Sequence, residues 1–82
     1  MNKLEVLKEE LRFALEDAVM GAILRPSLVG RLKMIARSIL LRHGLGKSHV
    51  DIKQQGNGFE VKIYLQQPGA VVREIWLSLG GM

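Results

Sequence analysis

Apolar positions in the first third of the chain recur at three- and four-residue spacing. Leu4, Leu7, Leu11, Leu15, Ala18 and Ala22 fall on one face of a helix, and the spacing predicts one from Leu4 to about Leu24. Val6, Phe13 and Met20, strictly seven apart, fall on the opposite face, with Leu24 close beside them. A surface helix needs only one such stripe, so the second must be covered by the rest of this chain or by another chain. Asn2 and Glu5 have the spacing of a capping box, and Pro26 ends the helix because the residue before a proline is pushed out of the α region. Gly21, late in this helix, is expected to mark the close approach of a neighbouring backbone.

A second helix is predicted from Leu28 to His43, with Ser27 as its N-cap. Leu28, Leu32, Ile35, Ala36, Ile39 and Leu40 form its main apolar face, and Met34 and Leu41 fall on the far side among Lys33, Arg37 and Ser38. Gly44 is placed to terminate it in a Schellman-type stop, with Leu45 as the hydrophobic partner, and Arg42 and His43 suit the negative end of the helix dipole.

From Ser48 the period changes from 3.6 to 2. Val50 and Ile52 alternate with Asp51 and Lys53, and Gly56-Asn57-Gly58 supplies a tight turn that tolerates positive φ. Phe59, Val61, Ile63 and Leu65 alternate with polar neighbours, and Pro68-Gly69 is the central pair of a type II turn. The last strand, about Val71 to Leu79, puts Arg73, Ile75, Leu77 and Leu79 on one face and Val72, Glu74, Trp76 and Ser78 on the other. A three-residue loop, Pro68-Gly69-Ala70, sets Ile63 opposite Ile75, Val61 opposite Leu77 and Lys62 opposite Trp76. A loop one residue longer mixes the two faces, so the first register is preferred. The expected fold class is α+β: an N-terminal helical hairpin (about 3–43) packed on a three-stranded antiparallel β-meander (about 48–79), α-α-β-β-β, as one domain over 1–82.

Composition sharpens this only in places. Apolar residues make up 48% of the 82-residue chain, which suits a globular core, and aromatic residues are few, so that core rests on Leu, Ile and Val. With no cysteine, disulfides and thiolate metal sites are excluded and the compartment is left open. No apolar run reaches the roughly 18 residues of a membrane span, and the charged N-terminus lacks the pattern of a signal peptide.

Charge is uneven. The formal net charge of +4 comes from residues 25–49, where Arg25, Arg31, Lys33, Arg37, Arg42 and Lys47 face no acid. Residues 1–24 carry three basic and five acidic groups. Arg31, Lys33, Arg37, Arg42 and Lys47 are therefore candidate contacts to phosphate or nucleic acid, with Tyr64 and Trp76 as stacking surfaces on an exposed sheet face. Against this, the basic residues are spread around the helix, and solvated charge flanking a buried stripe accounts for much of the pattern.

Sites for chemistry are sparse. Gly46-Lys47-Ser48 ends like a phosphate-binding loop, but Leu41 stands where the first glycine is needed, and the order here is helix then strand. His43 and His49 flank a turn and, with Asp51, fall short of a metal-ligand set. No arrangement for nucleophilic catalysis is visible, so the expectation is a non-enzyme without cofactor or metal. Val6, Phe13, Met20 and Leu24 on the first helix, with Met34 and Leu41 on the second, exceed what one sheet face can cover. They are the candidate protein interface. In the alternative burial scheme the sheet packs on one stripe of the first helix and the second helix on the other, and both faces are internal.

One resemblance bears on setting. From Ser27 to Leu79 the chain has Leu28-Val29-Gly30-Arg31-Leu32, Ile35, Ile39-Leu40-Leu41 and Gly44, then Phe59-Glu60-Val61-Lys62-Ile63, Pro68 and Arg73-Glu74-Ile75. That order resembles the helix-plus-hairpin ends of tailed-bacteriophage structural proteins, the C-terminal region of contractile-tail sheaths among them. The large upstream domains of a sheath subunit have no counterpart here, so the resemblance points to a small virion, tail, neck or baseplate component. It implies many copies around an axis, no catalysis, and contacts through helix faces and strand edges, in a virion or cytoplasmic setting. The first strand, near Val50 to Gln54, and the last, ending at Leu79, are the candidate edges. The sequence thus suggests a small structural or assembly protein binding other chains, as a homo- or hetero-oligomer, without a membrane. The runner-up is a nucleic-acid-binding module using the basic second helix.

Overall fold

The computed structural model describes residues 3–21, 28–66 and 73–80. It contains α1 (Lys3–Gly21), α2 (Leu28–Arg42), β1 (His49–Gln55), β2 (Gly58–Leu65) and β3 (Arg73–Gly80). The order is α-α-β-β-β, an α+β arrangement in which the strands form one antiparallel sheet with order β1-β2-β3. The capping residue Asn2, the Pro26-Ser27 junction, Ala22, Leu24 and the Pro68-Gly69-Ala70 loop lie outside the described residues.

The inner face of α1 is built on four-residue steps. Leu7, Leu11, Leu15 and Val19 are buried, with Leu4, Ala14 and Ala18 packed beside them. Each step of four turns the stripe about 40° around the helix, because 3.6 residues make one turn. The buried line therefore winds around α1, and its far end, Val19, sits against Gly80 of β3. α1 packs on both α2 and β3, while α2 packs on α1 and β1. Leu28, Leu32, Ala36, Ile39 and Leu40 are the buried residues of α2, and Ile35 is only partly covered.

α2 stops as its sequence predicts. Gly44 takes φ +74°, and its amide donates to the Leu41 carbonyl at 3.0 Å, while the Leu45 amide donates to the Leu40 carbonyl at 2.8 Å. Those two bonds define the Schellman motif, and Leu45 then enters the core. Gly21 departs from expectation: a Cβ built there meets nothing within 4 Å, so among the described residues it marks no close backbone approach.

The sheet is one-sided. Val50, Ile52, Phe59, Val61, Ile63, Leu65, Ile75, Leu77 and Leu79 are all buried, and the residues that alternate with them along β1 and β3 face solvent. Gln55 pairs with Gly58 across a two-residue turn, and Gly56 at φ +57° gives this hairpin the first-position glycine of a type II′ turn. In the β2–β3 ladder Ile63 stands opposite Ile75, Val61 opposite Leu77 and Lys62 opposite Trp76, which is the predicted register. A slip of one residue would send the whole apolar row of β3 to solvent. No polar or charged residue is buried among the described residues.

These burials separate the two stripes of α1 energetically. Leu11→Ala should lower the free energy of unfolding by about 2–5 kcal/mol, as large-to-small changes in a packed core do. Phe13→Ala, two residues on, should change it by no more than about 0.5 kcal/mol. Urea unfolding of both variants at low protein concentration measures the contrast, and equal losses would place Phe13 in the core.

Candidate interaction surface

The second stripe of α1 is open. Val6, Phe13 and Met20 are 45%, 79% and 86% exposed, and on α2 Met34 and Leu41 are 72% and 70% exposed. This rules out the scheme in which both faces of α1 are internal. The sheet and α2 both meet α1 on the inner side, and nothing among the described residues covers the outer one. Leu24, the remaining member of the predicted set, lies outside the described residues.

Phe13 and Met20 are held where they are because Leu11, Leu15 and Val19 are anchored on the other side of the same helix. Glu9 and Glu16 fall along one flank of the ridge and Glu10 and Asp17 along the other, by their angular positions on the helix. The ridge of α2 has the opposite surroundings. Arg31 and Arg37, both exposed, fall on either side of Met34 and Leu41. Leu41 is folded back toward the turn that follows α2, and its Cδ1 lies 2.9 Å from the position a Cβ on Gly46 would take.

Glu10 joins the two helices. One carboxylate oxygen accepts from Arg42 Nη2 at 2.8 Å, and the other lies 2.8 Å from His43 Nε2. Since Glu10 is in the first half of α1 and Arg42 closes α2, this junction shows that the helices run antiparallel. The hydrogen bond with His43, with help from the Arg42 charge, holds the Glu10 carboxyl below its ordinary value of 4.5. A shallow groove lined by Lys3, Val6, Arg42 and His43 lies beside it.

The basic candidates are not gathered. Arg42 is engaged with Glu10, Lys47 stands in the turn after α2, and Lys33 is half-buried on the flank away from Arg31. Arg31 and Arg37 remain on the outer helical face, separated by the Met34–Leu41 ridge. Tyr64 and Trp76 do share the outer sheet face, as expected. Lys62 Nζ, however, lies 4.1 Å from the centre of the Trp76 ring and 5.8 Å from that of Tyr64, and Trp76 Nε1 donates to Glu74 at 2.9 Å. On that face Lys53 and Lys62 are balanced by Asp51, Glu60 and Glu74, so it offers no net positive field to a phosphate backbone.

The two histidines part company. His43 meets Glu10, whereas His49 stands on the outer sheet face with its ring 6.2 Å from that of Tyr64. Among the described residues no group of three or more His, Cys, Asp or Glu could hold a metal ion. Ser48, from the Gly46-Lys47-Ser48 stretch, uses its hydroxyl oxygen to accept the Gln66 amide at 3.1 Å, which extends the β1–β2 pairing by one contact. No helix among the described residues is long and apolar enough to cross a membrane.

Sequence reasoning missed two features of this surface. The Glu10–Arg42–His43 junction spans more than thirty positions in the chain, and the hydrogen bond from Trp76 Nε1 to Glu74 ties two residues of one strand that no pattern pairs. Comparison of the chain with protein-family models, with curated proteins and with solved structures gave no match.

The Glu10 junction has a pH signature. A carboxyl whose folded-state value is depressed stabilises the fold fully above its unfolded value and loses that contribution as pH falls through the folded one. Wild type should therefore exceed Glu10→Gln in stability above about pH 4.5, and the two should converge below it. Denaturant titrations across that range decide the point, and a gap that persists unchanged in acid would remove the junction as its cause.

Proposed function

We propose that this protein is a small structural or assembly module that binds other protein chains through the outer face of its helical hairpin. The carrying observation is the heptad-spaced ridge Val6–Phe13–Met20, exposed on a helix whose opposite side is fully packed. Each large apolar side chain left in water forgoes roughly 1.5–3 kcal/mol that full burial would return. Single exposed apolar residues are ordinary, but a heptad-spaced ridge on α1, with Met34 and Leu41 exposed on the neighbouring α2, is the kind of surface that marks contact sites.

The sheet edges are a second contact of the same reading. β1 and β3 each have one side without a strand partner among the described residues, a template another chain can extend. β1 carries Asp51 and Lys53, which oppose indiscriminate pairing, so the helical face is the primary surface. A phage tail or neck, where many copies surround an axis, is one setting for such a module. The nucleic-acid alternative has less to support it, because the exposed bases of α2 are divided by an apolar ridge and Arg42 is neutralised by Glu10.

A photo-activated cross-linking residue at position 13 or 34, in the full chain within its cell of origin, tests the reading. Protein adducts should form at both positions and be several-fold fewer at position 76 on the outer sheet face. Adducts confined to position 76, or none at any position, would overturn it.

A further inference from the structure

We infer that the chain seated on this helical face is a second copy of the same protein, related by a two-fold axis running along the helices, so that α1 of each protomer meets α2 of the other. The inference rests on the reading of the outer helical face as a binding surface and names its occupant.

Charge carries the argument. α1 holds three basic and five acidic residues, and the acids Glu9, Glu10, Glu16 and Asp17 border its exposed ridge. α2 holds four basic residues and no acid, and Arg31 and Arg37 border its ridge. One surface thus presents both halves of a complementary pair, side by side on antiparallel helices. Two copies can stack helix layer to helix layer about a two-fold in two ways. With the axis perpendicular to the helices, α1 lies on α1 and α2 on α2, and acids face acids while bases face bases. With the axis parallel to them, α1 lies on α2 of the other protomer, and Glu16 and Asp17 meet the flanks of Arg37 and Arg31, while Glu9 and Glu10 are already paired within the chain with Arg12 and with Arg42 and His43. Like charges brought together across an interface are strongly disfavoured, so only the second arrangement is open.

Apolar matching points the same way. In that arrangement Phe13 and Met20 of one copy face Met34 and Leu41 of the other, twice over, which closes a four-helix layer between two outer sheets. Methionine suits such a seam because its flexible thioether adapts to a facing side chain. The area is adequate too. A 19-residue helix is about 28 Å long and packed helices lie about 9 Å apart, so the face measures on the order of 500 Å² in projection. That is of the order of the ~800 Å² of accessible surface each partner contributes to a standard interface. The pairing is isologous and therefore stops at two.

Sedimentation velocity of the full chain, with helix content followed by circular dichroism, tests this. Wild type at roughly 1–100 μM, the weak end for interfaces of this size, should sediment as a dimer of twice 9.2 kDa and dissociate as salt is raised. Glu16→Lys with Asp17→Lys should leave both helices net basic, and Arg31→Glu with Arg37→Glu should put acids on the flanks of both apolar ridges and take away the net positive charge of α2. Each variant alone should stay monomeric, with a Kd raised at least about tenfold by like-charge repulsion. Mixed one to one, the two variants should recover a species of dimer mass. Asp17→Lys and Arg31→Glu singly, which lie on the flanks that meet, carry the same test should a double variant lose its helix signal. A monomeric wild type over the whole range, a species larger than two, or a dimer indifferent to both reversals would overturn the inference. A monomer whose position 13 still cross-links to a different protein in the cell would overturn the second-copy assignment alone and leave the helical face standing.

Discussion

Every feature of this protein depends on a geometric constraint: a two-layer domain has a single internal interface, and a helix in it can bury one face. The apolar rows of β1, β2 and β3 lie on one side of the sheet, and α1 and α2 occupy that side together. Leu7, Leu11, Leu15 and Val19 fill the space available to α1. Nothing among the described residues is left to cover the side half a turn away. The exposure of Phe13 and Met20 therefore follows from the same packing that holds the fold together, and it is a fixed property of the surface.

Much of this was legible in the chain because the relevant signals are local and periodic. The change from 3.6 to 2 after Gly44, the turn glycines at 44 and 56, and the alternation from Phe59 to Leu65 each act over a few residues, and the structure follows them. The β2–β3 register was also readable, since only one pairing keeps Ile75 and Leu77 inside. What could not be read was whether the second stripe of α1 would be buried as well as the first. A helical wheel treats Leu7–Leu11–Leu15 and Val6–Phe13–Met20 as two apolar faces, and only the docking of the sheet distinguishes them. The long-range Glu10 junction was invisible for the same reason, whereas the placing of Lys62 opposite Trp76 followed from the register. Gly21 was misread because a glycine in a helix resembles a packing contact in sequence, whether or not a neighbour arrives.

The division of charge gives the exposed face its character. An acidic first helix and a basic second helix attract one another within the hairpin, where Glu10 meets Arg42, and the residues on the outer side carry the same division of charge. The exposed ion pairs add little stability, but the pattern of sign decides which helix can lie on which. The same division argues against nucleic acid, since the acids of α1 border the face that the bases of α2 would have to offer.

The most direct measurement is the rate of peroxide oxidation of Met20 and Met34 in the folded chain, resolved by peptide mass spectrometry as protein concentration is raised. Both thioethers are open to solvent in the isolated chain, and oxidation follows exposure. If the outer helical face is an assembly surface, both rates fall together with concentration, relative to added N-acetylmethionine amide. Rates at positions 20 and 34 that stay constant up to the highest soluble concentration would contradict the account.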